Sequence, residues 1–199
     1  MATDTKQRLV HSTAGLLSKQ GYSGTGVKQI LAAANAPFGS LYHFFPGGKE
    51  QLGAEAIRQS GALYFQLFAT IAAQAPDVET AVERFFAGAA QTLQESGYAD
   101  ACPIATVALE VASTNEPLRE ATAEVFQSWI DGAGAYFCGS GIEPESARAL
   151  AFSMLSLLEG AFVFCRSMRT TEPLRAAGAT AVQGVRAALA EASGTLSEA

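Results

Sequence analysis

In the stretch "LYHFFPGGKE" a hydroxyl, an imidazole and an ammonium lie within eight residues, as Tyr42, His43 and Lys49. Each can give a hydrogen bond to a phosphate oxygen or a base edge. Gly47-Gly48-Lys49 also invites comparison with a nucleotide-binding phosphate loop. That loop needs glycine at position 43 and Ser or Thr at position 50; the chain has His43 and Glu50 there. The two histidines, His11 and His43, both lie near the N-terminus, and no nucleophile with a matching base accompanies them, so an enzyme is not expected. His11 reads as a solvated or helix-packing residue. Cys102, Cys138 and Cys165 are odd in number and form no paired motif, so neither a disulfide framework nor a metal site is expected, and no cofactor is called for.

Charge is distributed unevenly along the 199 residues. The chain carries a net −6, yet its first 52 residues hold Lys6, Arg8, Lys19, Lys28 and Lys49 against only Asp4 and Glu50. All of its lysines fall in that part. A basic module on an acidic body suits a phosphate-binding head joined to a body with another task, and argues against a protein that coats nucleic acid throughout. The start "MATDTKQRLVHSTAG" lacks the basic flank and apolar block of a signal peptide, so a cytoplasmic protein with reduced thiols is expected. An uncharged run over residues 59 to 76 contains Gln59, Gln66 and Gln74, which favours a soluble amphipathic helix over a membrane span; no membrane partner is expected.

These groups must be held by helices, because apolar residues recur at intervals of three and four throughout while alternating runs bounded by turns are absent. Leu9, Val10, Ala14, Leu16 and Leu17 define a first helix that Gly21 stops. Short second and third helices follow at about 27 to 34 and 38 to 44, then a long fourth at about 49 to 75. Asp77 is placed to cap a fifth helix carrying Val78, Val82, Phe85, Phe86 and Leu93, and Gly97 closes it. "PIATVALEVA" fits strand or helix by periodicity alone, and its helical neighbours favour helix. Asn115 caps the next helix, with Pro117 in its first turn, and two more run at about 144 to 168 and 172 to 192. The fold class is all-α, with a three-helix head over residues 1–50 and a helical body over 51–199.

Two short helices joined by a tight turn and packed on a preceding helix form a helix-turn-helix unit. Here the turn is "ANAP": Asn35 stands where a left-handed residue is wanted, and Pro37 fixes the start of the next helix. A seven-residue helix is unstable alone, so Leu41, Phe44 and Phe45 must supply an inward face. Phe38, Gly39, Ser40, Tyr42 and His43 are left pointing outward. Small residues at the front of such a helix let its backbone approach a groove floor.

"GYSGTGVKQILAAANAPFGSLYHFFPGGKEQL", residues 21 to 52, closely resembles the DNA-binding domain of the tetracycline-repressor (TetR) family of bacterial transcription regulators. "CPIATVALEVASTNEPLREA", residues 102 to 121, further resembles the LmrA-like branch of repressors that control multidrug-resistance genes. The resemblance implies that Thr25 and Gly26 begin the second helix and touch phosphate, with Lys28 and Gln29 on its exposed side. Phe38, Gly39 and Ser40 would read bases, Tyr42 and His43 would face phosphate, and Lys49 would clamp phosphate from the start of the fourth helix. Gly26 replaces the usual hydroxyl cap, which removes one phosphate contact. Phe38 replaces a common polar or basic reader, which turns recognition toward a thymine methyl or close backbone approach.

The same resemblance implies a ligand-responsive repressor that binds a palindromic double-stranded operator as a homodimer and is released by a small lipophilic or aromatic effector. Candidate effector residues are Phe68, Phe86, Cys102, Phe126, Trp129, Glu159 and Phe162; Glu159, a charge in an apolar helix, either emerges at the helix edge or faces a cavity. The alternative signal is thiol-based, with Cys102 or Cys165 sensing an oxidant or electrophile. Small residues in the last two helices would let them pack closely in a four-helix dimer seam, with Ser153, Leu157, Gly160, Ala181, Val182, Val185 and Leu189 as interface candidates.

Overall fold

The computed structural model describes residues 2–197. Among them the chain forms nine helices and no strand: α1 (Ala2–Gln20), α2 (Val27–Ala33), α3 (Ser40–Phe44), α4 (Gly48–Gln74), α5 (Val78–Glu95), α6 (Pro103–Val111), α7 (Glu116–Gly139), α8 (Pro144–Met168) and α9 (Glu172–Ser197). Helix ends follow local chemistry. Asp77 Oδ1 accepts the Thr80 N–H at 2.7 Å to start α5, and Asn115 Oδ1 accepts the Leu118 N–H at 3.0 Å to start α7. Gly21 ends α1 at φ +71°, a conformation that glycine adopts without a Cβ penalty. The ambiguous run after Cys102 is helical, with Pro103 in its first turn.

Two boundaries differ from expectation. The third helix spans Ser40–Phe44, and Phe38 and Gly39 form a turn before it, closed by the Ser40 N–H on Pro37 O at 2.9 Å. Phe38 and Gly39 take turn geometry, and glycine weakens a helix start, so the regular ladder begins two residues late. The last helix runs five residues beyond the expected end, through Ser197.

Packing groups the chain differently from the sequence order that a division at residue 50 follows. One compact unit joins the chain up to Leu63 with Ala99–Phe126, and a second joins Tyr64–Tyr98 with the chain from Gln127 onward. In the first, α1 packs on α2, α3 and α6. Its buried side chains include Leu9 and Leu17 of α1, Ile30 of α2, Leu41 of α3, Leu52 and Ile57 of α4, and Ile104 and Val107 of α6. Burying each such side chain contributes about 1.5–3 kcal/mol.

In the second unit α9 packs on both α5 and α8 around Val82, Phe86, Phe137, Met154, Leu174 and Val185. Gly178 lets α9 approach α5: a Cβ there would stand 2.8 Å from the Phe86 Cβ. Helix α8 is long and apolar enough to cross a membrane by length and composition alone. Its apolar residues fall on two sides. Ala147, Ala151, Met154, Leu158, Ala161 and Cys165 are buried, whereas Phe152, Val163, Phe164 and Met168 are exposed.

Candidate nucleic-acid interface

The α2–α3 turn has the conformation its sequence requires. Asn35 sits at φ +45°, and the Ala36 N–H closes the turn on Leu31 O at 3.0 Å. Helix α3 has five residues, so its position depends on Leu41 and Phe45, both buried, with Phe44 half-buried. On the other side Phe38 is 70% exposed and Tyr42 59% exposed; Pro37, Gly39 and His43 are exposed and Ser40 is half-buried. The His43 ring meets Phe44 edge-on at 4.7 Å. Lys28 is exposed on α2 and borders a shallow pocket of about 290 Å³ with Leu31, Ala32, Asn35, Ala36 and Phe38. An ammonium, a projecting aromatic ring and a phenol on one helix-turn-helix surface form an array suited to phosphate and base edges.

Gly26 caps α2 with extended backbone and is exposed. Gln29 is exposed too, and its Oε1 accepts both the Gly26 N–H at 2.9 Å and Gln20 Nε2 at 3.2 Å, so this side chain also fastens the start of its own helix. Thr25 departs from the outward role implied by resemblance. It is wholly buried, its hydroxyl donates to Gly21 O at 2.6 Å, and it supports the turn from inside.

Lys49 is half-buried at the start of α4. Its Nζ donates to Tyr22 O at 2.7 Å and lies 3.9 Å above the Tyr22 ring. Burial pulls this ammonium below the usual lysine range, and the Glu110 carboxylate opposes that shift. The Tyr22 carbonyl takes one of its three donors and the Tyr22 ring covers a further side of the ammonium, so only its remaining side can face a phosphate. The Tyr22 hydroxyl is pushed up by its own burial and, secondly, by Glu50.

Sequence reasoning missed the groups that fix the α1–α2 turn. Glu110 of α6 accepts the Tyr22 N–H at 3.1 Å on one oxygen and the Ser23 N–H at 2.8 Å on the other. Ser18 exchanges hydrogen bonds with Ala101, giving to its carbonyl at 2.6 Å and accepting its N–H at 3.1 Å. Asn115 Nδ2 donates to Glu50 at 2.6 Å. A signal for Glu110 was available: it is the lone charge in the apolar run "PIATVALEVA".

Of the effector candidates, Cys102 and Phe126 belong to the first unit. Cys102 is buried at the cap of α6, where its Sγ accepts the Ala105 N–H at 3.5 Å. Phe68, Phe86, Trp129, Glu159 and Phe162 belong to the second. There Phe68 meets Phe85 and Tyr136 edge-on at 5.3 and 5.6 Å, Phe85 meets Phe86 at 6.1 Å, and Trp129 meets Tyr64 at 6.4 Å. Glu159 and Phe162 are half-buried. Burial pushes the Cys165 thiol up, which suits a packing residue more than a reactive thiolate.

The dimer candidates separate by exposure. Ser153 and Gly160 are exposed on α8, and Leu157, Val182 and Leu189 are half-buried. Ala181 and Val185 are buried against the protomer's own helices, so they can only support a seam from beneath.

Comparison with known proteins gives two family matches. Residues 9–56 match the model described as bacterial regulatory proteins, tetR family, and residues 79–180 match the C-terminal domain of LmrA/YxaF-like transcriptional regulators. The HTH-type transcriptional regulator YxaF of Bacillus subtilis (strain 168) is 31% identical over 171 residues, covering 86% of this chain and 90% of that protein. LmrA, an HTH-type transcriptional regulator of the same organism, is 28% identical over 171 residues, covering 86% of this chain and 91% of its own. The crystal structure of a TetR transcriptional regulator from Chloroflexus aurantiacus superimposes with a TM-score of 0.78 at 27% identity, covering 93% of this chain and 96% of that one.

Proposed function

The chain belongs to the tetR family of bacterial regulatory proteins and is a transcriptional regulator, not an enzyme, and from that premise we propose that it represses transcription by binding a palindromic operator as a homodimer. The observation that carries the reading is that Lys28, Phe38, Tyr42 and His43 are exposed while Leu41 and Phe45 are buried. Phe38, Gly39 and Ser40 enter the major groove. Gly26, Lys28, Gln29, Tyr42, His43 and Lys49 meet phosphates, while Thr25 and Pro37 hold the two turns. The head functions as residues 1–50 and the effector and dimer functions reside in 51–199. A regulator of this kind works in the cytoplasm, where the chromosome is.

Two-fold symmetry places the recognition helices about 34–36 Å apart, or a multiple of that, so the operator has two inverted half-sites. Selection of duplexes from a random library by the full chain tests the reading directly. An enriched inverted repeat supports it, and recovery of no sequence preference overturns it. On the selected duplex, Lys28→Ala weakens binding to all sequences and lowers the salt slope by about 2 per dimer, one phosphate per head at about 0.9 each. Phe38→Ala instead changes the preferred bases, seen by repeating the selection, with the largest change at thymine positions.

The signal is a planar aromatic or lipophilic compound held by Phe68, Phe86, Trp129 and Phe162 and oriented by Glu159. Edge-on aromatic clusters with few charges suit such a ligand. It releases DNA only if it binds the DNA-incompetent dimer more tightly than the DNA-bound one. One observation favours a second reading, in which Cys102 senses an electrophile: its sulfur lies at a helix start, where a thiolate is stabilised. Replacing all three cysteines by serine or alanine separates the two. Release by a reversible aromatic compound survives the change under the first reading; under the second, the folded, DNA-binding variant loses every response.

A further inference from the structure

We propose that Glu110 is a positioning residue for DNA binding, setting the phosphate-facing end of α2 from a helix 87 residues further along the chain. The inference rests on the DNA-binding reading above. Its carboxylate grips one turn: the Tyr22 and Ser23 N–H groups point at its two oxygens, 3.1 and 2.8 Å away. Gly21, at φ +71°, presents those groups, and a Cβ at Gly21 would fall on the carboxylate itself. The other side of Tyr22 is held as well. Its carbonyl accepts the Thr25 N–H at 3.1 Å and Lys49 Nζ at 2.7 Å. Thr25 leads directly into the cap of α2 at Gly26, so Lys28, the second residue of that helix, takes its position from the Tyr22 unit.

Glu110 is not the only tie between its own helix and the head. Before α6, Ser18 exchanges two hydrogen bonds with Ala101, and after it Asn115 donates to Glu50 at 2.6 Å. Ser23 is exposed, so water can take over its N–H when the carboxylate is lost. The turn then keeps its hydrogen bonds and loses its registration. The array on α2 meets phosphate in several orientations where it had one.

The experiment uses the full chain, the duplex that the wild-type protein selects from a random library, and a random-sequence duplex of about 30 base pairs. Affinity is measured against salt concentration, with the thermal midpoint alongside. Glu110→Gln keeps the size of the side chain but offers its NH2 to one of the two N–H groups. It is expected to bind the selected duplex about tenfold more weakly, with a salt slope lower by about 2 per dimer. Glu110→Asp keeps the charge but cannot reach both N–H groups, and is expected to behave as the Gln variant does. Unchanged affinity and slope in folded Glu110→Gln overturn the proposal, as does wild-type binding by Glu110→Asp. Weaker binding with an unchanged slope also overturns it, because that reports fewer active molecules and not fewer phosphate contacts. If only one variant folds, that variant decides; if neither does, Glu110 is a determinant of the fold and the proposal fails. Absence of wild-type binding to both duplexes removes the DNA-binding reading itself, a different result from a variant that matches the wild type.

Discussion

Leu41→Ala is expected to destabilise the head by about 2–4 kcal/mol and to remove specific DNA binding. The second effect follows from the length of α3. Five residues cannot form a stable helix in water, so α3 exists only while Leu41 and Phe45 are seated among the side chains of the head. Truncating Leu41 removes one of those two anchors and leaves a cavity that a well-packed neighbourhood fills incompletely. Against a typical net stability of about 5–15 kcal/mol the domain still folds, but the short helix is no longer held in one orientation. Denaturant titration followed by mobility shift on the selected operator checks both parts. The expected result is a lowered midpoint with sequence-specific binding reduced to the level of a random duplex. A variant that binds specifically as the wild type does would show that α3 is held by something other than this side chain.

For the homodimer proposed above, Phe164→Glu is expected to leave monomers at micromolar concentration and to weaken operator binding by about 100-fold or more. Exposed on α8 are Phe152, Val163, Phe164 and Met168, and Ser153 and Gly160 are exposed as well. Several large apolar side chains exposed on one helix mark an interaction surface. In a two-fold seam both protomers contribute the same patch, so one substitution introduces two carboxylates into it. Leaving a buried charge without a partner costs about 3–5 kcal/mol, and two of like sign cost more. A monomer can use only one half-site and loses the gain in effective concentration from linking two heads. Sedimentation of the variant gives the oligomeric state, and anisotropy on the operator gives the affinity. A dimer that survives this change with unaltered affinity would place the seam elsewhere.

What was legible in the sequence was whatever depends on near neighbours in the chain. Asn35 in a left-handed turn, Asp77 and Asn115 as caps and Gly21 as a helix stop each act within a few residues, and each stands as read. Spacing of apolar residues at three and four likewise marks a helix from within the helix. The late start of α3 was harder, because Phe38-Gly39 can continue a helix or a turn and the choice rests on how Leu41 and Phe45 are buried. Thr25 has the right residue type for a phosphate ligand, and only the geometry of the Gly21 turn draws its hydroxyl inward. Ala181 and Val185 share small size or apolar character with seam residues, so composition could not tell which side of α9 the protomer uses for its own core. Glu110 was the least visible. Its partners are backbone N–H groups 87 and 88 residues away, and a main-chain amide has no residue type to recognise.

That carboxylate in the Gly21 turn also bears on how such a protein can be recombined. A crossover near residue 50 would join one regulator's DNA-reading segment to another's body and look clean on paper, since it cuts between a head and the rest of the chain. It would also separate residue 21 from residue 110, whose fit is steric as well as polar: the glycine must be bare where the carboxylate lies. A chimera would inherit the two halves of this contact from different parents. Residues 21 and 110 therefore form a compatibility pair, and a graft intended to exchange operators should carry α6 with the head it came from.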